Sequence, residues 1–170
     1  MIRFECDIEA DWPSEPGWEE LASRAAAALA QIAPELSHPQ LCASLLFTSD
    51  AEIQALNREW RSKDKPTNVL SFPMLSRTGL LALGRVEESS APPELLGDIA
   101  LAYETCAREA AEKNIPLEHH AAHLIIHGLL HLAGHDHELS PADADAMEAQ
   151  EIKALALMGI GNPYCDAPSH

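Results

Sequence analysis

Residues 127–137 read HGLLHLAGHDH, four histidines in eleven positions. Seven of the chain's nine histidines lie between His119 and His137, a clustering that needs a cause. His127 and His131 are four apart. On a helix that spacing stacks them on one face, with Cβ atoms about 5–6 Å apart, so two imidazoles can converge on one ion. Gly134 is placed to stop that helix. His137 follows on the ensuing turn, from which its side chain can swing back. The resulting pattern, H-x3-H-x5-H, offers three neutral nitrogens with no cysteine nearby to close the shell. Three protein ligands and an open fourth position are the arrangement of a catalytic zinc rather than a structural one. The expectation is one zinc per chain, held by His127, His131 and His137.

The surrounding residues qualify this picture. His119 and His120, like the distant His38 and His170, read as packed or capping histidines. His123 lies one turn before His127 on the same face, either as a partner of a ligand or as core. His135 is not counted as a ligand. Asp136 either orients a ligand histidine through its other ring nitrogen or caps the turn. Zinc peptidases carry a glutamate directly after the first histidine as general base. Here that position is Gly128, so the peptidase base is missing.

Working outward, LEHHAAHLIIHGLLHLAG (117–134) reads as a single helix. SPADADAMEAQEIKALALMG (140–159) reads as the next, with Ser140 as N-cap, Pro141 at the first helical position and Gly159 at the end. YETCAREAAEKN (103–114) forms another, ending before Pro116. Upstream, a helix is expected from about Gly17 to Ala33, and DAEIQALNREW (50–60) forms one capped by Ser49 or Asp50. IRFECDI (2–8), LCASLLFTS (41–49), TNVLSFP (67–73) and GDIALAYE (97–104) read as strands, the second central. The connection over 74–94 contains SSAPP and reads as a long variable loop. One domain is expected over residues 1–160, followed by a polar, frayed tail over 161–170.

Composition bounds the function. Hydrophobic residues at 46% and charged residues at 22% suit a globular protein, and no apolar run reaches a membrane-spanning length. The N-terminal MIRFECDIEADW lacks the basic start and apolar stretch of a signal peptide, which points to a cytoplasmic location with no membrane partner. Cys6, Cys42, Cys106 and Cys165 form no C-x-x-C pair and read as small buried side chains rather than a disulfide framework. A net charge of −16 argues against a protein that coats nucleic acid non-specifically. The charge is uneven, however. Between residues 58 and 85, Arg58, Arg61, Lys63, Lys65, Arg77 and Arg85 face only Glu59 and Asp64, whereas the other 142 residues hold five bases against 25 acids.

Three blocks, LNREWRSKDKPTNVLSFP (56–73), LLGDIAL (95–101) and HLIIHGLLHLAGHDH (123–137), together resemble the YbeY family, bacterial endoribonucleases of ribosomal RNA maturation. The resemblance implies a zincin-like, metalloprotease-like α/β domain in which a small, mostly parallel four-stranded sheet carries packed helices. It implies zinc on His127, His131 and His137, and cleavage of single-stranded RNA in maturation of the 16S 3′ end and ribosome quality control, with the ribosome or small-subunit proteins as partners. It assigns the family's functional arginine to Arg61. Family members usually carry tyrosine where this chain has His135.

On this reading Arg61 forks onto a phosphate with charge-assisted bonds that strengthen as the transition state gains charge. His127 acts through the metal, and Arg58, Lys63 and Lys65 hold the RNA backbone. The proton acceptor stays open between Asp136, a metal-held hydroxide and the RNA's own 2′-hydroxyl. Two rival readings are a zinc hydrolase of another bond and a ribosome- or RNA-associated metal-binding protein without activity.

Overall fold

The alternation along Leu41–Thr48 decides where the core lies. Leu41, Ala43, Leu45 and Phe47 are buried, while Cys42, Ser44 and Leu46 between them are half-buried on the opposite face. Side chains alternate across a strand, so this strand has a core on each side, one larger than the other. In the computed structural model, the described residues are 2–9, 12–13, 17–37, 41–75, 79–80, 94–134 and 141–164. His38, Arg77, Arg85, His135, Asp136, His137, Ser140, Cys165 and His170 lie outside them.

The elements run β1 (Arg3–Ile8), α1 (Trp18–Ile32), a 3-10 turn (Pro34–Ser37), β2 (Leu41–Thr48), α2 (Asp50–Arg61), β3 (Val69–Pro73), β4 (Glu94–Ala102), α3 (Tyr103–Lys113), α4 (Leu117–Leu132) and α5 (Pro141–Leu157). The sheet order is β1-β2-β4-β3. β1 and β4 pair parallel with β2, and β3 pairs antiparallel with β4. The fold is therefore an α/β domain with a mostly parallel four-stranded sheet, as expected. β3 is an edge strand, which tolerates Pro73 because a missing N–H costs least there.

The larger core lies between the sheet and the helices α1, α4 and α5, with Leu29, Phe47, Leu101, Ile125 and Leu129 fully buried. The smaller one sits on the other face beneath α2, where Ile53, Leu70, Ala100 and Ala102 are buried and Leu46, Leu56 and Phe72 are partly so. Trp12 braces the far end of the larger core, edge-on to Trp18, Phe47 and Tyr103. Among the described residues no helix is long and apolar enough to cross a membrane. Cys6, Cys42 and Cys106 are free thiols, and burial pushes Cys6 up to about 11, which makes it inert.

The fourth strand differs from the sequence expectation at both ends. It starts at Glu94 rather than Gly97, because Leu41 and Cys42 offer β2 partners to Glu94 and Leu95. It stops at Ala102, and Tyr103 opens α3. The end is set by a clamp between two helices. Asp50, at the start of α2, accepts from the Thr105 amide at 2.9 Å and the Thr105 hydroxyl at 2.8 Å, while its own amide donates to Glu104 at 2.8 Å. Each helix start thus satisfies the other's orphan amides. Ser49 caps α2 conventionally, accepting from the Glu52 amide.

Two glycines let α4 lie close to the sheet. A Cβ on Gly128 would stand 3.0–3.3 Å from three atoms of Ile99, so the position after His127 faces the sheet. At Gly97 the register slips by one residue against Cys42/Ala43, and an added Cβ would meet the Phe72 carbonyl oxygen at 2.5 Å and Leu132 at 2.6 Å. Gly97→Ala is expected to lower stability by about 1–3 kcal/mol through overpacking. Denaturant unfolding measures it; an unchanged midpoint would mean that β3 and Leu132 yield freely.

Candidate metal centre and basic cleft

α4 is apolar almost all round, and eleven of its sixteen residues are buried. The exceptions with chemistry lie along one stripe, His120, His123, His127 and His131. His120 is the structural histidine that was expected. Its Nε2 lies 2.8 Å from Glu109 on α3, and Glu109 also accepts from Asn68 just before β3 at 3.0 Å. Burial lowers His120, so it sits neutral as a donor. Burial alone would raise Glu109, but the bonds from His120 and Asn68 prevail and hold it low.

The next three histidines belong to a different system. Glu151, fully buried on α5, places Oε1 2.8 Å from His123 Nε2 and Oε2 2.8 Å from His127 Nδ1. The Tyr164 hydroxyl donates to Glu151 Oε1 at 2.5 Å and lies 3.1 Å from His123 Nε2. Burial would raise the Glu151 carboxyl, yet hydrogen bonds from His123, His127 and Tyr164 drive it down to about 2. Burial and the adjacent carboxylate push the Tyr164 hydroxyl up, so it remains a donor. Neither Glu151 nor Tyr164 was a candidate from the sequence. The start of the tail is pinned through Tyr164 rather than frayed.

This network sets the tautomer of His127. With Nδ1–H committed to an ionised carboxylate, Nε2 carries the lone pair. That atom faces His131 Nε2 at 3.1 Å, with the rings near perpendicular at 72°. Two zinc–nitrogen bonds of about 2.0–2.1 Å at a tetrahedral angle set their nitrogens about 3.3 Å apart. The pair therefore fits a shared cation, and a carboxylate behind the ligand imidazole is the usual support for one. Among the described residues no third histidine, cysteine or carboxylate joins them. His137, the expected third ligand, lies outside the described residues.

His127 and His131 open onto a cleft of about 630 Å³ whose opposite wall is the end of α2 and the turn after it, with Arg61, Lys63 and Lys65. The turn is built for this. Ser62 adopts left-handed geometry at φ 57°, the Lys63 amide returns to the Asn57 carbonyl at 3.1 Å, and the buried Asn57 side chain donates to the Lys65 carbonyl at 2.9 Å. Three of the four basic candidates thus share the cleft with the histidines. Arg58 does not line it; its guanidinium pairs with Asp64 at 3.5 Å on the surface.

If Glu151 fixes the His127 ring, Glu151→Gln should weaken zinc binding roughly 10–100-fold while leaving a folded protein. Competition against a chromophoric chelator, with circular dichroism in parallel, measures this. Unchanged affinity would reduce Glu151 to a packing role.

Comparison with known proteins identifies the family. Residues 9–159 match the family model described as Endoribonuclease YbeY. The Endoribonuclease YbeY of Erythrobacter litoralis is 59% identical over 165 residues, covering 97% of this chain and 99% of that one. That of Novosphingobium aromaticivorans is 56% identical over 161 residues, covering 95% of each. The solution structure of TM1509 from Thermotoga maritima superposes with a TM-score of 0.58 at 23% identity, over 100% of this chain and 99% of that one, and so shares the fold. With near-complete coverage at this identity, the chain belongs to the YbeY family of endoribonucleases, enzymes that cut RNA.

Proposed function

We propose that this protein is a zinc-dependent, single-strand-specific endoribonuclease acting in the cytoplasm on ribosomal RNA, at the 16S 3′ end, in maturation and quality control, in contact with the ribosome or its small-subunit proteins. The observation that carries the chemistry is the approach of His127 and His131 Nε2 to 3.1 Å on the wall of a cleft lined by Arg61, Lys63 and Lys65. His127, His131 and His137 would hold the ion. When bound, zinc supplies Lewis acidity that activates water and polarises a phosphoryl oxygen.

The remaining work falls to the chain's own residues. Glu151 orients His127 and keeps its Nδ1 proton in place, so that Nε2 stays available. Lys63 and Lys65 attract the RNA backbone as point charges, and Arg58 at the surface adds to the same field. Arg61 presents paired donors to the phosphate as negative charge builds on its oxygens, which favours the transition state over the ground state. The acidic body repels RNA elsewhere, so the cleft is where a strand comes to rest. Gly128, packed against Ile99, leaves no room for a peptidase-type base, which weighs against peptide hydrolysis.

The test is incubation of zinc-loaded protein with unstructured and duplex RNA, with and without chelator. Cleavage of the unstructured strand is expected, lost with chelator and in His131→Ala, whose metal content should also fall. Cleavage that survives metal removal would overturn the zinc reading.

Arg61→Lys separates geometry from charge. A bidentate role predicts loss of most turnover, with metal content and fold retained, because lysine offers a point charge instead of a planar fork. Turnover measured across a salt series decides. Near-normal rates in Arg61→Lys, weakened by salt in parallel with the parent, would leave Arg61 as one member of a general phosphate patch.

A further inference from the structure

The last turn of α2 separates two depressions. Successive residues on a helix diverge by about 100°, so Arg61, with Asn57 one turn before it, faces the basic cleft. Trp60, with Leu56 one turn before it, faces a second hollow of about 400 Å³ on the side of the sheet that α2 only partly covers. Its walls are Leu46, Leu56, Trp60, Phe72 and Met74. Trp60 is 67% exposed and Met74 62%, a large unburied apolar surface at the rim of this hollow. The same edge strand and its extension serve both sides: Ser71 and Pro73 line the cleft, Phe72 and Met74 the hollow.

We infer that this hollow is a nucleobase subsite: when a phosphate of single-stranded RNA lies beside Arg61, a neighbouring base leaves the cleft and stacks on Trp60. The inference rests on the endoribonuclease reading of the cleft and adds where the strand's bases go. Three observations choose a base over a protein segment or a phosphate. The exposed indole is followed by Arg61, Lys63 and Lys65 and preceded, across Glu59, by Arg58, a basic excess on an otherwise acidic body, so the rim complements a polyanion. An indole interleaved with cations is the arrangement that holds single strands without regard to sequence, since every base has a π-face. Inside the hollow, Asp98 accepts from Ser44 at 2.6 Å. A carboxylate there repels a phosphate but can accept from the exocyclic amino group of adenine, cytosine or guanine. A duplex, whose bases are already stacked on one another, offers no free face to Trp60, so the subsite gives a physical basis for preferring single strands.

Trp60 itself reports on the proposal. Trp12 and Trp18 are 3% and 2% exposed, so collisional and stacking quenchers act on Trp60. The full-length protein is titrated with a short, uncleavable 2′-O-methyl RNA strand and with an abasic strand of the same length. The base-bearing strand is expected to quench the fluorescence saturably and the abasic strand to bind more weakly without quenching. Trp60→Ala should weaken binding of the base-bearing strand about five- to a hundredfold, the range for losing one base–aromatic stack. Its salt dependence should stay unchanged, because no phosphate contact is removed. Trp60→Tyr should recover most of the affinity. Affinity in Trp60→Ala equal to the parent's, or equal quenching by both strands, would overturn the subsite while leaving the RNA reading of the cleft intact. A parent protein that binds neither strand would overturn both.

Discussion

A single ionised carboxylate, buried and surrounded by donors, holds the active half of this molecule together. Glu151 on α5 receives His123 and His127 from successive turns of α4 and Tyr164 from the segment after α5. Removing a carboxylate from water is expensive, and only a full set of partners makes it tolerable. Once buried and satisfied, the group resists rearrangement, because moving α5, turning the His127 ring or withdrawing Tyr164 would each strand a charge in the interior. Apolar packing alone would let α5 slide on α4 at little cost. The carboxylate removes that freedom and converts a packed helix pair into a fixed frame for the imidazole that faces the cleft.

Across the cleft the constraint is of another kind. There the chain is exposed and basic, and its shape comes from backbone bonds rather than burial. Asn57 is the exception, a buried amide that ties the Lys63–Lys65 turn to α2. One wall is neutral to acidic, the other cationic and tied back to α2 through Asn57, Gln54 and Arg58. Strand β3 runs between them as the floor, and its alternation lets one edge strand floor a polar cleft and an apolar hollow side by side.

Much of this was legible in the sequence, and the part that was not has a physical pattern. Local signals revealed what is local: the i, i+4 pair His127 and His131, a cap at Ser49 or Asp50, the apolar run of β2 and the glycine stop at Gly134. Residues whose role depends on distant partners were hidden. Glu151 sits in a helix with several acids, and its local context resembles that of Glu148. One signal was present, since Met147, Glu151, Ala154 and Leu155 share a buried face, and an acid on an apolar stripe asks for partners. Tyr164 lies in a stretch of tail composition and gains its meaning only from Glu151. Glu94 and Leu95 entered the strand because β2 offered them partners, a fact no window around SSAPP contains. Arg58 and Arg61 look alike in a basic run, but Arg58 pairs with Asp64 at the surface while Arg61 lines the cleft. His38, Asp136 and His137 lie outside the described residues.

The clamp at the start of α2 has a mechanical consequence. The helix touches the sheet lightly along its length and is gripped firmly at Asp50, through Thr105 and Glu104. Arg61 stands at the far end, about 16 Å along the axis. The helix is thus a lever with its fulcrum at the clamp. A tilt of about 5° there sweeps the tip through about 1.4 Å, and misplacements near 1 Å at a reacting centre can cost on the order of a hundredfold in rate. Slack in a hydrogen bond at the clamp would be amplified at Arg61, so the precision of the cleft's cationic wall is set partly by three residues that never approach it.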